Sequence, residues 1–202
     1  LCRDGVQLDG TFHPMPVPKT AVVAFSHGAN RPVMGWLEDG RLRLRDVLSG
    51  GEREASLQAG AITPCLGGFI ALGHGRLWEA RLHGSTEGAS VSFRDMGSCH
   101  ARTTQLHSGV ALQSLLGRFH ATLFMPQGGC LAVPLPELDG SRPLEAFHAG
   151  GVLAVLSIRG GAYVRTVFRF RSDLSYTSRK AEDQAYGCLN IAVLDTGVCV
   201  EM

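Results

Sequence analysis

The sequence predicts an all-β chain of recurring antiparallel hairpins, and three observations carry that expectation. Helical periodicity is nearly absent. The 202 residues include 26 Gly and 9 Pro, about one breaker in six. Runs of four to eight apolar or alternating residues, each bounded by glycine, recur along the chain.

At 45% hydrophobic residues the chain has enough apolar content for a core, and disorder is excluded as its main state. The length fits one packed domain over residues 1–202, which needs no disulfide or metal to be stable. The clearest strand pairs are Val33 to Leu37 with Leu42 to Val47, Phe69 to Leu72 with Leu77 to Leu82, and Phe119 to Met125 with Cys130 to Leu135. Val152 to Ile158 with Ala162 to Phe170, and Ile191 to Leu194 with Val198 to Met202, complete the set. Each pair is joined by a short glycine-bearing connection: Asp39-Gly40, His74-Gly75, Gly128-Gly129, Gly160-Gly161 and Thr196-Gly197. Glycine suits these positions because the turns that match strand twist require positive φ. Residues 2 to 8 read as the end of a sixth hairpin centred near Gly5.

Taking Gly5, Gly40, Gly75, Gly129, Gly161 and Gly197 as markers gives intervals of 35, 35, 54, 32 and 36 residues. The long interval contains residues 94–117, where Leu106, Val110, Leu112, Leu115 and Leu116 fall at mixed spacings, so an inserted helix or loop is expected there. A third strand follows most hairpins, at Arg53 to Gln58, Ala89 to Phe93, Pro143 to Phe147 and Leu174 to Arg179. Units of three or four strands at this period suit a propeller-like array, either a small closed one or part of a larger one. The alternative is a β-sandwich or jelly roll with evenly spaced hairpins.

One unit goes further. Ala21-Val-Val-Ala-Phe-Ser-His-Gly is followed by Val33-Met-Gly-Trp-Leu-Glu-Asp-Gly and then Arg41-Leu-Arg-Leu-Arg-Asp-Val-Leu-Ser-Gly-Gly-Glu52. In its order of strand, strand, Asp-Gly turn, strand ending in Arg-Asp-Val, turn and strand, this segment resembles a WD40-type propeller blade. Arg45 stands where that family usually has Trp, and no Gly-His pair leads the unit. The resemblance covers about 40 residues and the other units share only the rhythm. It implies a propeller, and propellers of that type mostly present surfaces to other proteins.

Nineteen Lys and Arg against 18 Asp and Glu leave a net charge of +1, so bulk charge draws in neither nucleic acid nor an anionic membrane. No apolar run reaches the roughly 18 residues of a membrane span, and the first ten residues lack the segments of a signal peptide. No membrane partner is expected. The six cysteines are scattered without a C-x-x-C, and neither Asn30 nor Asn190 begins a glycosylation sequon, which favours a reducing, intracellular setting in cytoplasm or nucleus.

Motifs for chemistry are wanting. Cys99-His100 with His107 is the densest group of soft ligands, but its spacing matches no common zinc finger. Ser26 and His27 are adjacent on a strand and therefore point to opposite faces. Gly73-His74-Gly75 lacks the third glycine and the βαβ setting of a dinucleotide loop. The expectation is no metal, no cofactor and no catalytic residue, with enzymatic activity left open because carboxylates on separate strands cannot be paired from sequence.

Arginine placement is the remaining signal. Alternation puts Arg41, Arg43 and Arg45 on one face of a strand and Leu42 and Leu44 on the other. Arg165, Arg169 and Arg171 share a face with Val167, opposite Val164, Thr166, Phe168 and Phe170. These six residues are the expected partner-binding set of a non-catalytic interaction module whose partner is a protein. Nucleic acid bound by the same arginines is the alternative, as is an enzyme-derived β domain kept as a regulatory factor, such as a viral host-interaction factor. The two tryptophans, Trp36 and Trp78, read as core.

Overall fold

A computed structural model describes residues 1–2, 4–26, 30–85, 88–99, 104–124, 130–171, 173, 175–183, 191–194 and 197–200. The chain divides into two compact units, Leu1–Arg102 and Thr103–Met202. Among the described residues there is no α-helix.

The first unit opens with a hairpin of β1 (Gly5–Leu8) and β2 (Thr11–Pro14). Gly5 lies inside β1, and the turn is Asp9-Gly10, both at positive φ. Next comes a four-stranded sheet of β3 (Val22–Phe25), β4 (Pro32–Glu38), β5 (Arg41–Asp46) and β6 (Glu52–Gln58). A second consists of β7 (Ala61–Cys65), β8 (Gly68–Gly73), β9 (Arg76–Ser85) and β10 (Gly88–Ser98). In both sheets the strands lie side by side in chain order and pair antiparallel. The turns Asp39-Gly40 and His74-Gly75 have positive φ at both central residues, as the strand twist demands.

The second unit repeats this plan. One sheet holds β11 (Thr104–His107), β12 (Val110–Leu115), β13 (Arg118–Phe124) and β14 (Cys130–Pro134). After a single 3-10 turn, Pro136–Leu138, the other holds β15 (Arg142–Ala149), β16 (Val152–Arg159), β17 (Ala162–Phe170) and β18 (Tyr176–Asp183). The final pair is β19 (Ile191–Leu194) with β20 (Gly197–Val200). The expected turns at Gly128-Gly129 and at Thr196 lie outside the described residues.

Of residues 94–117, expected as an inserted helix or loop, 94–98 finish β10, while 104–107 and 110–115 form β11 and β12. The leucine spacing there is irregular because a turn at Ser108-Gly109 separates two short strands, so no single period runs through.

The cores are sandwiched between consecutive sheets. In the first unit, Val33, Leu42, Leu44 and Leu57 pack with Phe69, Ala71, Ala80 and Leu82. Gly35 keeps room for the Phe69 ring, since a Cβ there would stand 2.9 Å from its Cζ. The opposite face of β4 packs Met34 and Trp36 with Val6 and Val47. In the second unit Leu112, Phe119, Leu123 and Leu135 meet Leu153, Val155 and Phe168. Two alternating faces on each strand, both partly buried, explain why the sequence reads as apolar runs as often as clean alternation.

Isolated parallel bridges join Ser26 to Gly67 and Ser108 to Phe147, and β3 lies beside β7 as β11 lies beside β15. Within each unit, therefore, the opening strands of successive sheets are neighbours. A sandwich or jelly roll would send strands across from sheet to sheet, whereas here every described sheet is a meander. The second of these seams depends on Gly109, at φ +74°, where an added Cβ would run into the His148 carbonyl. Replacing Gly109 with alanine is expected to cost about 2 kcal/mol or more, read as a lowered denaturant midpoint at unchanged slope.

Candidate interaction surface

The Arg41–Asp46 strand alternates as its sequence requires: Leu42 and Leu44 are buried, while the arginines emerge on the other side. The register of β4, β5 and β6 then decides what those arginines meet. Arg41 stands opposite Glu38, Arg43 opposite Trp36 and Glu54, and Arg45 opposite Met34 and Glu52. All three are ion-paired. Arg41 Nη1 lies 2.6 Å from Glu54 Oε1, and Arg43 bridges Glu54 at 2.7 Å and Glu38 at 3.1 Å. Arg45 pairs with Glu52, and its guanidinium sits 5.8 Å from the centre of the Trp36 ring. The hydrogen bond from Arg41, with the charge of Arg43 beside it, holds the Glu54 carboxyl below its ordinary range.

The face is therefore a charge-balanced lattice of three arginines and three glutamates laid over an indole. Arg41 is more than half exposed and Arg43 about a third, so the lattice is open to solvent, whereas Arg45 is mostly covered. A shallow cavity of about 270 Å³ lies among Trp36, Glu38, Arg43, Glu52, Arg53 and Glu54. The sequence carried the alternation of the arginines but not their pairing, because the glutamates come from both neighbouring strands and one of those pairings contains a bulge.

The second group lies in the other unit. Arg169 and Arg171 are exposed and Arg165 is half-buried. Arg165 and Arg169 flank Val167 on β17, as expected, but Val167 belongs to an apolar cluster with Val152, Ala154 and Leu156. Arg171 follows the strand, and its N–H donates to Ser175 O at 2.8 Å.

Two polar anchors escaped sequence reasoning. The first is Asp46, which is buried and accepts Arg31 Nε at 2.9 Å and Arg31 Nη2 at 3.0 Å, together with the backbone N–H groups of Leu48 and Ser49. Burial pushes its carboxyl up, but these hydrogen bonds outweigh that and hold it below the usual range. Arg31 N–H in turn donates to Ser26 Oγ at 2.9 Å. Ser26 is thus a buried acceptor whose backbone is bridged to Gly67. The second is Glu137 on the 3-10 turn, which accepts Tyr176 Oη at 3.0 Å and Ser178 Oγ at 3.2 Å, while Lys180 Nζ donates to its carbonyl at 2.9 Å. Burial and the Glu137 carboxylate push the Tyr176 phenol up to about 12. Replacing Glu137 with glutamine is expected to bring that phenol back toward 10, visible as an earlier phenolate absorbance step in an alkaline titration.

Among the described residues no three His, Cys, Asp or Glu side chains are grouped to hold a metal ion. His100 and His27 lie outside the described residues. Burial pushes the Cys65 thiol up to about 12, so it is a poor nucleophile. No helix is long and apolar enough to cross a membrane, among the residues described.

No family model matches the chain, and no curated protein matches it. Among solved structures it is similar to Kluyveromyces lactis Hsv2, at 12% identity and a TM-score of 0.50. That match covers 94% of this chain and 59% of the other, so the chain spans less than two thirds of that structure's length. A streptogramin B lyase structure aligns at 11% identity and a TM-score of 0.39, covering 82% of this chain and 70% of its own. With its sequential four-stranded sheets, the chain is an all-β protein of propeller-like fold.

Proposed function

We propose that this chain is a non-catalytic protein-interaction module, and that the Arg41, Arg43 and Arg45 face is the surface it presents, with Arg165, Arg169 and Arg171 as a second contact group. The observation that carries this reading is the exposed lattice of alternating Arg and Glu over Trp36. Such a surface offers forked donors and carboxylate acceptors at fixed spacing on a rigid sheet, which rewards a partner of mirrored charge order. Protein is favoured over nucleic acid because the carboxylates of Glu38, Glu52 and Glu54 repel phosphate as strongly as the arginines attract it. The free thiols of Cys2 and Cys65 are compatible with a partner met inside the cell.

The test is affinity capture with quantitative identification, comparing the natural chain with Arg43→Glu and with the charge swap Arg43→Glu/Glu54→Arg. Single reversal is expected to reduce recovery of the specific partner about tenfold while the chain stays folded. The swap should keep the internal pair yet fail to restore the partner. Equal recovery by all three chains would end the proposal, and partner loss that tracks added salt with slope set by phosphate number would transfer it to nucleic acid.

A further inference from the structure

We infer that the outer edge of β10 is a second docking site, which takes an extended acidic peptide by strand addition with one aliphatic side chain seated in the adjoining cavity. The apolar wall of that cavity, Val33 and Leu44, lies on the face of the β3–β6 sheet opposite Arg41, Arg43 and Arg45, and Arg53 borders both sites.

Each four-stranded sheet ends, in chain order, on an edge strand, and three of these four last strands are blunted. β6 carries charged residues and a register break, β14 is five residues long and ends in Pro134, and β18 bears Arg179, Lys180 and Glu182. β10 runs for 11 residues, and its only irregularity lies between Asp95 and Gly97. From Ala89 to Phe93 it has no charge, no proline and no bulge, and β9 is its only strand partner among the described residues.

The ladder fixes which backbone groups are open. Leu82 N–H donates to Gly67 O on the β8 side, so alternation turns the Arg81 groups toward β10, where Arg81 stands opposite Ser92. The N–H and C=O groups of Ala89, Val91 and Phe93 therefore face outward. A strand arriving at this edge would find three successive donor and acceptor sites.

Beside the edge lies a cavity of about 100 Å³, lined by Val33, Leu44 and Leu82 below and by Ala89 and Val91 of β10 itself. Its size fits one Val, Leu or Ile side chain, and its walls are mainly apolar. Asp46 at its wall is already engaged by Arg31. Arg53 at its lining and exposed Arg94 on β10 have no carboxylate partner among the described residues. Backbone groups in a row, one pocket for an alternate side chain and two open cations are the elements of β-augmentation, with the cations selecting Asp or Glu beside the anchor.

The experiment pans a displayed library of random decapeptides over the full chain, then measures the enriched sequences as labelled synthetic peptides by fluorescence anisotropy. Acidic sequences with one central aliphatic residue are expected. N-methylation along the peptide should abolish binding at alternate positions only, a signature that needs no change to the protein. Ala89→Leu, which fills the cavity, should weaken binding about tenfold or more, Arg94→Glu should weaken it less, and Arg43→Glu should leave it unchanged. Failure to enrich any such sequence, methylation effects without alternation, or equal binding to Ala89→Leu would overturn the inference. So would sedimentation showing that the edge is occupied by a second copy of the chain.

Discussion

Replacing Asp46 with alanine should lower stability by about 3 kcal/mol or more, making it among the most damaging single changes in the first unit. The carboxylate is 7% exposed and gathers two guanidinium donors and two backbone N–H groups, so its loss leaves four donors with no acceptor and Arg31 charged and uncompensated. Asn at this position should recover part of the loss, because its carbonyl can still accept the Leu48 and Ser49 N–H groups, but not the ionic part. Chemical denaturation of the three chains decides the matter: an alanine variant within about 1 kcal/mol of the natural chain would show that the turn is held by its backbone alone. The carboxyl is held below the ordinary Asp range, so its stabilising contribution is complete above the unfolded value and fades as acid protonates the folded chain.

The second large effect is acid destabilisation of the second unit through His148. Its ring is 5% exposed, meets Phe170 edge-on with centroids 6.5 Å apart, and leaves Nδ1 without a hydrogen-bond partner. Burial pushes the imidazole down to about 4, partly countered by a backbone hydrogen bond at Gly109. The folded chain thus holds the neutral ring, while the unfolded chain protonates near 6.5. Stability from this group is full above pH 6.5 and falls away as pH drops toward 4, by about 3 kcal/mol over the window. His107, also lowered by burial but steadied by the nearby charge of Glu145, shifts in the same direction. Melting curves from pH 7 to pH 4 should show a steep loss for the natural chain and a shallower one for His148→Leu. Parallel curves would mean that the ring is already solvated.

The hairpins were legible because their signal is local. Asp39-Gly40, His74-Gly75 and Gly160-Gly161 combine a turn-forming pair with alternating strands on either side, and each appears at a turn of positive φ. What the sequence hid is whatever depends on two distant segments. β7 was missed because Pro64 and Cys65 interrupt a run too short to read as a strand. β11 and β12 read as an insertion because a turn breaks their period. For the candidate surface, alternation showed which way Arg41, Arg43 and Arg45 point, but Glu38 and Glu54 reach them only through sheet register. Nothing near Glu137 announces that β18, some 40 residues further on, will supply three donors to it.

Because the strands of every described sheet pair only with their immediate predecessors and successors, the order in which the polypeptide leaves the ribosome matches the order in which its sheets can be completed. Each four-stranded sheet can close soon after its fourth strand emerges, and each two-stranded one after its second. Short-range pairing of this kind lowers the entropy of assembly and favours rapid folding for a β protein. Translation speed should therefore matter little to the yield of native chain.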